Sequence, residues 1–183
     1  WQKNKGQFGG NQYLLPGTSI KGSLRPRLAN HYNWLNQSCV DDGKAGWAEE
    51  NLAVKTLLGY TDGDDAQAGM LVFKDVYLPS NHSSNIQMHN KMDRYTGGVM
   101  KGALFSGQVL YKGNIIVSIE VLPSKDEVDG KIKQALDLTL QDLAQAWLSL
   151  GASGSRGLRT FSAHNFDTMW SDSGSWMAQG EAC

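Results

Sequence analysis

Apolar residues recur at helical spacing in two parts of the chain. Ile20, Leu24 and Leu28 stand four apart, after a Pro16–Gly17 turn and with Thr18 or Ser19 as a cap, and predict a helix. Pro26 falls inside that pattern and predicts a kink or early end. Leu140, Leu143, Ala144, Trp147 and Leu148 form a second stripe. It predicts a helix that opens at Thr139, with Asp142 at capping-box spacing, and stops at Gly151.

The remaining pattern favours strands and loops. Gly69–Leu78, Ala103–Tyr111 and Asn114–Leu122 are rich in branched and aromatic residues and predict strands, the last two joined by a tight turn at Lys112-Gly113. Leu158–Phe161 predicts a short strand after a glycine-rich loop, 151–157. Residues 1–12 predict a loop, 36–67 a polar excursion with a short helix near Trp47–Leu58, and 81–98 a long loop or extended hairpin. Ser124–Lys133 predicts a charged connector, and 162–183 shows no period. The order implies an α+β fold, most economically a ferredoxin-like split βαβ whose opening strand lies before Trp1. One domain spans 1–183, with its core at 13–161.

Composition narrows the class. A chain of 183 residues with 40% hydrophobic and 19% charged residues can bury a core as one domain. No run approaches the ~20 apolar residues of a membrane span, so no membrane partner is expected. Two cysteines, Cys39 and Cys183, make neither a disulfide framework nor a zinc site and point to a reducing, cytoplasmic setting. The net charge of −1 argues against a free-standing nucleic-acid binder, but its distribution is uneven. Residues 1–40 hold Lys3, Lys5, Lys21, Arg25 and Arg27 with no acid, whereas 41–79 are acidic.

The most informative chemistry lies in Pro16–Arg25. A helix start with hydroxyls, and with Lys21 and Arg25 on one face, suits the phosphates of a nucleic-acid backbone. A capped helix with two solvated cations is the alternative. The glycine-rich loop Gly151–Gly157, with Arg156, is a second, weaker phosphate candidate. His82, His89 and Asp93 match no standard zinc spacing, and Asp62, Asp64 and Asp65 lack the far glutamate of a calcium loop.

Four blocks then occur in order: LPGTSIKGSLR (Leu15–Arg25), GMLVFKDVYL (Gly69–Leu78), MDRYTGGVMKGALF (Met92–Phe105) and LGASGSRGLRTF (Leu150–Phe161). Together they resemble the RAMP superfamily, specifically the repeated backbone subunit of type III CRISPR RNA-guided effector complexes of prokaryotes. The resemblance implies an RRM-like, modified ferredoxin core with a projecting β-hairpin thumb at 81–98. It implies guide-RNA contacts from Ser19, Lys21, Arg25, Gly154, Ser155 and Arg156, and places Arg94 in the thumb. Met88 or Met92 would displace a nucleotide of the guide–target RNA duplex. The implied partners are guide RNA, complementary target RNA, and neighbouring copies or other effector subunits.

Catalytic relatives carry an aspartate in the loop before the helix-start block and cleave target RNA with Mg2+ or another divalent metal. Here Trp1–Tyr13 holds no acid, which leaves the catalytic residue unknown: either the acid lies before Trp1 or the subunit is inactive, and Asp93 is the nearest acid in a family block; without cleavage no cofactor is implied. Pro26 and Arg159 depart from the family pattern. The chain begins at Trp1 without a methionine, which suggests that the true N-terminus lies further upstream, and the opening strand expected before Trp1 suggests one domain of a longer or fused polypeptide. The alternatives are an endonuclease that processes the guide precursor, with His31 as base, and a non-cleaving capping subunit of the same complex.

Overall fold

A computed structural model of the chain describes all residues except 1, 6–10, 39–47, 49, 79–81, 124–127, 151–159, 164–166, 171–175 and 183. The chain is α+β. Two strands, β1 (Gln2–Lys5) and β2 (Asn11–Leu15), pair antiparallel where a loop was expected. The strand expected before Trp1 is thus β2, which leads directly into α1 (Gly17–Leu35).

Ile20, Leu24 and Leu28 are all buried on α1, as their spacing predicts. Neither Thr18 nor Ser19 caps the helix; the cap position is Pro16, with no side-chain cap bond. The helix also runs through Pro26 rather than ending there. Pro26 is exposed, and the carbonyl it leaves without a partner is that of Gly22, also on the exposed side, where water can replace the missing donor.

The excursion holds α2 (Leu52–Leu58), shorter than expected because Asn51 caps it, accepting from the amides of Ala53 at 3.0 Å and Val54 at 3.3 Å. The Asn51 amide also donates to Asn33 Oδ1 at 2.8 Å, so one side chain both starts α2 and fixes it to α1. A hairpin of β3 (Gly59–Asp62) and β4 (Asp65–Ala68) follows.

The expected strand Gly69–Leu78 is split. Its first part, β5 (Leu71–Phe73), pairs with β9 (Ile115–Val121), and its second, β6 (Val76–Tyr77), with β2. The break at Lys74–Asp75 frees Asp75 to turn towards α1. The expected turn at Lys112-Gly113 is also corrected. Strand β8 (Val99–Lys112) pairs back onto β7 (Ser83–Met92), and the chain then passes into a different sheet at β9. Ile115, Ile119 and Val121 are buried, whereas β8 is largely exposed, so core burial separates the two strands.

The second helix, α3 (Gly130–Ala144), starts nine residues before Thr139 and takes in the end of the expected connector. Asp129 caps it by accepting from the Lys131 amide at 3.1 Å, and Ile132, Ala135, Leu136 and Leu140 form its buried stripe. Thr139 lies inside, donating to the Ala135 carbonyl at 2.7 Å. The helix stops at Ala144 instead of Gly151, and Gln145–Ser149 form β10, which pairs with β11 (Thr160–Ser162). The tail, without a period in sequence, contributes β12 (Asp167–Trp170) and β13 (Trp176–Ala182), the latter antiparallel to β9.

In chain order β2, α1, β5, β9, α3 and β10 follow the βαββαβ plan, with β5 and β9 as an antiparallel pair. The far side of β9 carries β13, while β2 pairs with β1 and β6. The inner faces of the three helices pack with β5, β6 and β9 into one core.

Candidate nucleic-acid interface

Helix α1 contains no acid, and it presents its basic residues from a start that is itself tightly built. The Gly17 amide donates to Asp75 Oδ1 at 2.7 Å, so the chain's own carboxylate occupies the first amide of the helix. A Cβ on Gly17 would sit 2.4 Å from the Phe73 carbonyl oxygen, which is why this position accepts only glycine. The cationic side chains, rather than an open helix terminus, are therefore what α1 offers a phosphate. Lys21 and Arg25 stand four apart and line one side of a groove between α1 and the β3–β4 hairpin. Ser19 is half-buried one turn before Ser23, whose hydroxyl donates to the Ser19 carbonyl at 2.9 Å.

The β7–β8 hairpin has strands of 10 and 14 residues, a reach of about 30 Å. Ile86, Met88, Met92 and Leu104 are among its exposed large apolar side chains. Met88 lies in mid-strand opposite Ser106, and Met92 at the base of the tip. The tip is 93–98, held by the Asp93 amide donating to the Gly98 carbonyl at 2.9 Å and the Gly97 amide to the Asp93 carbonyl at 3.0 Å. Arg94 is exposed there, and Tyr95 is 99% exposed. Sequence reasoning missed Tyr95 as a tip residue; its place inside DR-TGG was the available signal.

Asp93 serves the same turn. Its Oδ1 accepts from the amides of Thr96 at 3.0 Å and Tyr95 at 2.7 Å, and these bonds hold the carboxyl below its ordinary range. His89 stacks on Phe105 with ring centroids 5.2 Å apart, and His82 meets Tyr13 edge-on. Asp62 and Asp65 face each other at the end of the β3–β4 hairpin. His31 has a partner the sequence did not reveal: its Nε2 lies 2.7 Å from Asp142 Oδ2, and Arg27 pairs with the same oxygen. Gly154, Ser155, Arg156 and Arg159 lie outside the described residues. Among the described residues, no helix is long and apolar enough to cross a membrane.

An acid-free basic helix beside a groove, and a long apolar-sided hairpin, suit contact with nucleic acid. The family model of the RAMP superfamily matches residues 6–158, and the chain belongs to that superfamily, whose members are CRISPR-associated RNA-binding proteins. No curated protein matches the chain.

Proposed function

We propose that the chain is a guide-RNA-binding backbone subunit of a type III CRISPR effector complex. Lys21 and Arg25 hold guide phosphates from one face of α1, with Ser19 on a different face of the helix, and the β7–β8 hairpin wedges into the guide–target duplex. The observation that carries this reading is the hairpin. A two-stranded ribbon with exposed apolar residues along its length and an exposed tyrosine at its tip has little use unless something covers it. Inserting such a side chain between bases costs a few kcal/mol of unstacking, which a repeating assembly repays through many phosphate contacts. A net charge of −1 fits a subunit that covers few nucleotides by itself.

The reading is of a subunit that holds and spaces the duplex, in a cytoplasmic complex with neighbouring copies or other effector subunits. Cleavage of target RNA would call for a divalent metal and an available acid. Asp93 spends one carboxylate oxygen on its turn, and Asp75 spends one on Gly17.

The test is expression of the full-length protein with its genomic neighbours, followed by sizing of any copurifying RNA. A discrete RNA in a large assembly supports the reading, and a monomer free of nucleic acid overturns it. In that assembly, Lys21→Ala and Arg25→Ala each lower the salt dependence of RNA binding by about one unit of slope. With Mg2+ and complementary RNA, Asp93→Ala leaves any cleavage unchanged; abolished cleavage would make Asp93 catalytic.

A further inference from the structure

The groove beside Lys21 and Arg25 has a second wall that sequence marks only as a polar excursion. Tyr60, Thr61 and Gln67 of the β3–β4 hairpin line the side opposite α1, enclosing about 550 Å³, within the range of small-ligand sites.

This wall is anchored. A Cβ on Gly59, whose φ is +78°, would come within 2.5 Å of the Gln67 carbonyl oxygen and the Gly69 amide nitrogen. A Cβ on Gly69 would lie 2.3 Å from the Leu58 carbonyl carbon. The two glycines thus bring the hairpin base into backbone contact with the end of α2, which is sunk in the core through Ala53, Val54, Leu57 and Leu58. Tyr60 stands opposite Gln67, and its phenol donates to Asp65 at 3.0 Å. That hydrogen bond and the Asp65 charge push the phenol above its ordinary range, so it stays neutral.

Charge is graded across the groove. Lys21 and Arg25 stand on the α1 wall, Tyr60, Thr61 and Gln67 supply neutral donors and acceptors on the hairpin wall, where Lys55 Nζ lies 5.2 Å from the Tyr60 ring centroid, and Asp62, Asp64 and Asp65 gather towards the hairpin's turn. We infer that the groove holds one nucleotide of single-stranded RNA, its phosphate on Lys21 and Arg25 and its ribose and base on Tyr60, Thr61 and Gln67. The carboxylates at the turn repel a phosphate from that end and so set the direction of the bound nucleotide. Hydroxyl and amide groups on the nucleoside wall suit a 2′-hydroxyl or a base edge. The inference rests on the reading that Lys21 and Arg25 bind guide phosphates, and it adds the hairpin as the part that tells RNA from DNA.

The test uses the full chain and a fluorescein-labelled single-stranded RNA of about ten nucleotides, with the matching DNA. Thr61→Val combined with Gln67→Ala changes two exposed hairpin residues, and thermal melting verifies the fold. The expected result is RNA binding weaker by about three- to tenfold, an unchanged salt slope, and a smaller preference for RNA over DNA. If that variant binds RNA like the parent while Lys21→Ala weakens binding, the hairpin wall is overturned and the phosphate reading stands. If neither variant weakens binding, both fall. A reduced salt slope in the hairpin variant would put phosphate on this wall and overturn the proposed direction.

Discussion

His31 Nε2 lies 2.7 Å from Asp142 Oδ2, joining α1 to α3 across 111 residues of sequence. Arg27 pairs with the same carboxylate oxygen, and the Asp142 side chain is only 10% exposed. Lys131 Nζ donates to Asn36 Oδ1 at 2.9 Å, so the two ends of α3 are held by polar contacts to the C-terminal part of α1 and the two helices run antiparallel. Asp142→Ala removes the carboxylate that His31 hydrogen-bonds and Arg27 ion-pairs. Arg27 is partly exposed and water offsets some of the loss, so the expected destabilisation is about 1–3 kcal/mol by denaturant titration. His31→Gln lowers stability less and leaves RNA cleavage by the assembled complex unchanged. Loss of guide-precursor processing in His31→Gln would restore the histidine as a general base.

Two glycines of α1 respond in opposite ways to alanine. At Gly17 the new methyl would meet the Phe73 backbone at 2.4 Å, and Gly17→Ala costs about 2–3 kcal/mol as β5 is forced away. At Gly22 no atom lies within 4 Å of the added carbon, and Gly22→Ala stabilises by about 0.5–1 kcal/mol through helix propensity. Equal effects in a thermal melt would contradict this account of the helix-start block.

The hairpin tip separates binding from folding. Tyr95 is almost wholly exposed, so Tyr95→Ala changes stability by no more than about 0.5 kcal/mol. In the assembled complex the same change reduces distortion of the guide–target duplex, read as lower fluorescence of a 2-aminopurine placed at successive positions. Unchanged fluorescence everywhere would remove Tyr95 from the wedge.

The Asp93 turn carries a pH dependence of definite sign. Its carboxyl is held below the ordinary value of 3.8, chiefly by the Thr96 amide and then by that of Tyr95. A depressed carboxyl favours the folded turn above the ordinary value, and that contribution fades as pH falls through the lowered one. Amide exchange at Tyr95 and Thr96 therefore quickens as pH drops below about 4, beyond the intrinsic trend, and Asp93→Asn removes the effect. An identical exchange profile in the variant would show that the carboxylate does not order the tip.

Helix existence and the basic character of α1 were legible because both are local. Ile20, Leu24 and Leu28 share a face by backbone geometry alone, and a run without acids keeps its sign in any fold. The four motif blocks likewise placed the chain in its superfamily, and the DR-TGG block forms the tip of the β7–β8 hairpin, where sequence alone did not show Tyr95 at the point.

Partners distant in the chain decided the rest. The stripe from Leu140 to Leu148 reads as helix, yet α3 ends at Ala144, whose carbonyl accepts from the Ala163 amide at 2.8 Å, and Ala146 turns at φ 62° without the glycine that usually marks such a stop. Strands β8 and β9 look like a hairpin in sequence, and only burial of Ile115, Ile119 and Val121 sends them to different sheets. Asp75 on Gly17, Asp142 on His31 and the hairpin wall opposite Lys21 arise in the same way. Spacing along the chain specifies which residues share a face, whereas the groups those faces meet depend on contacts that form only when the core closes.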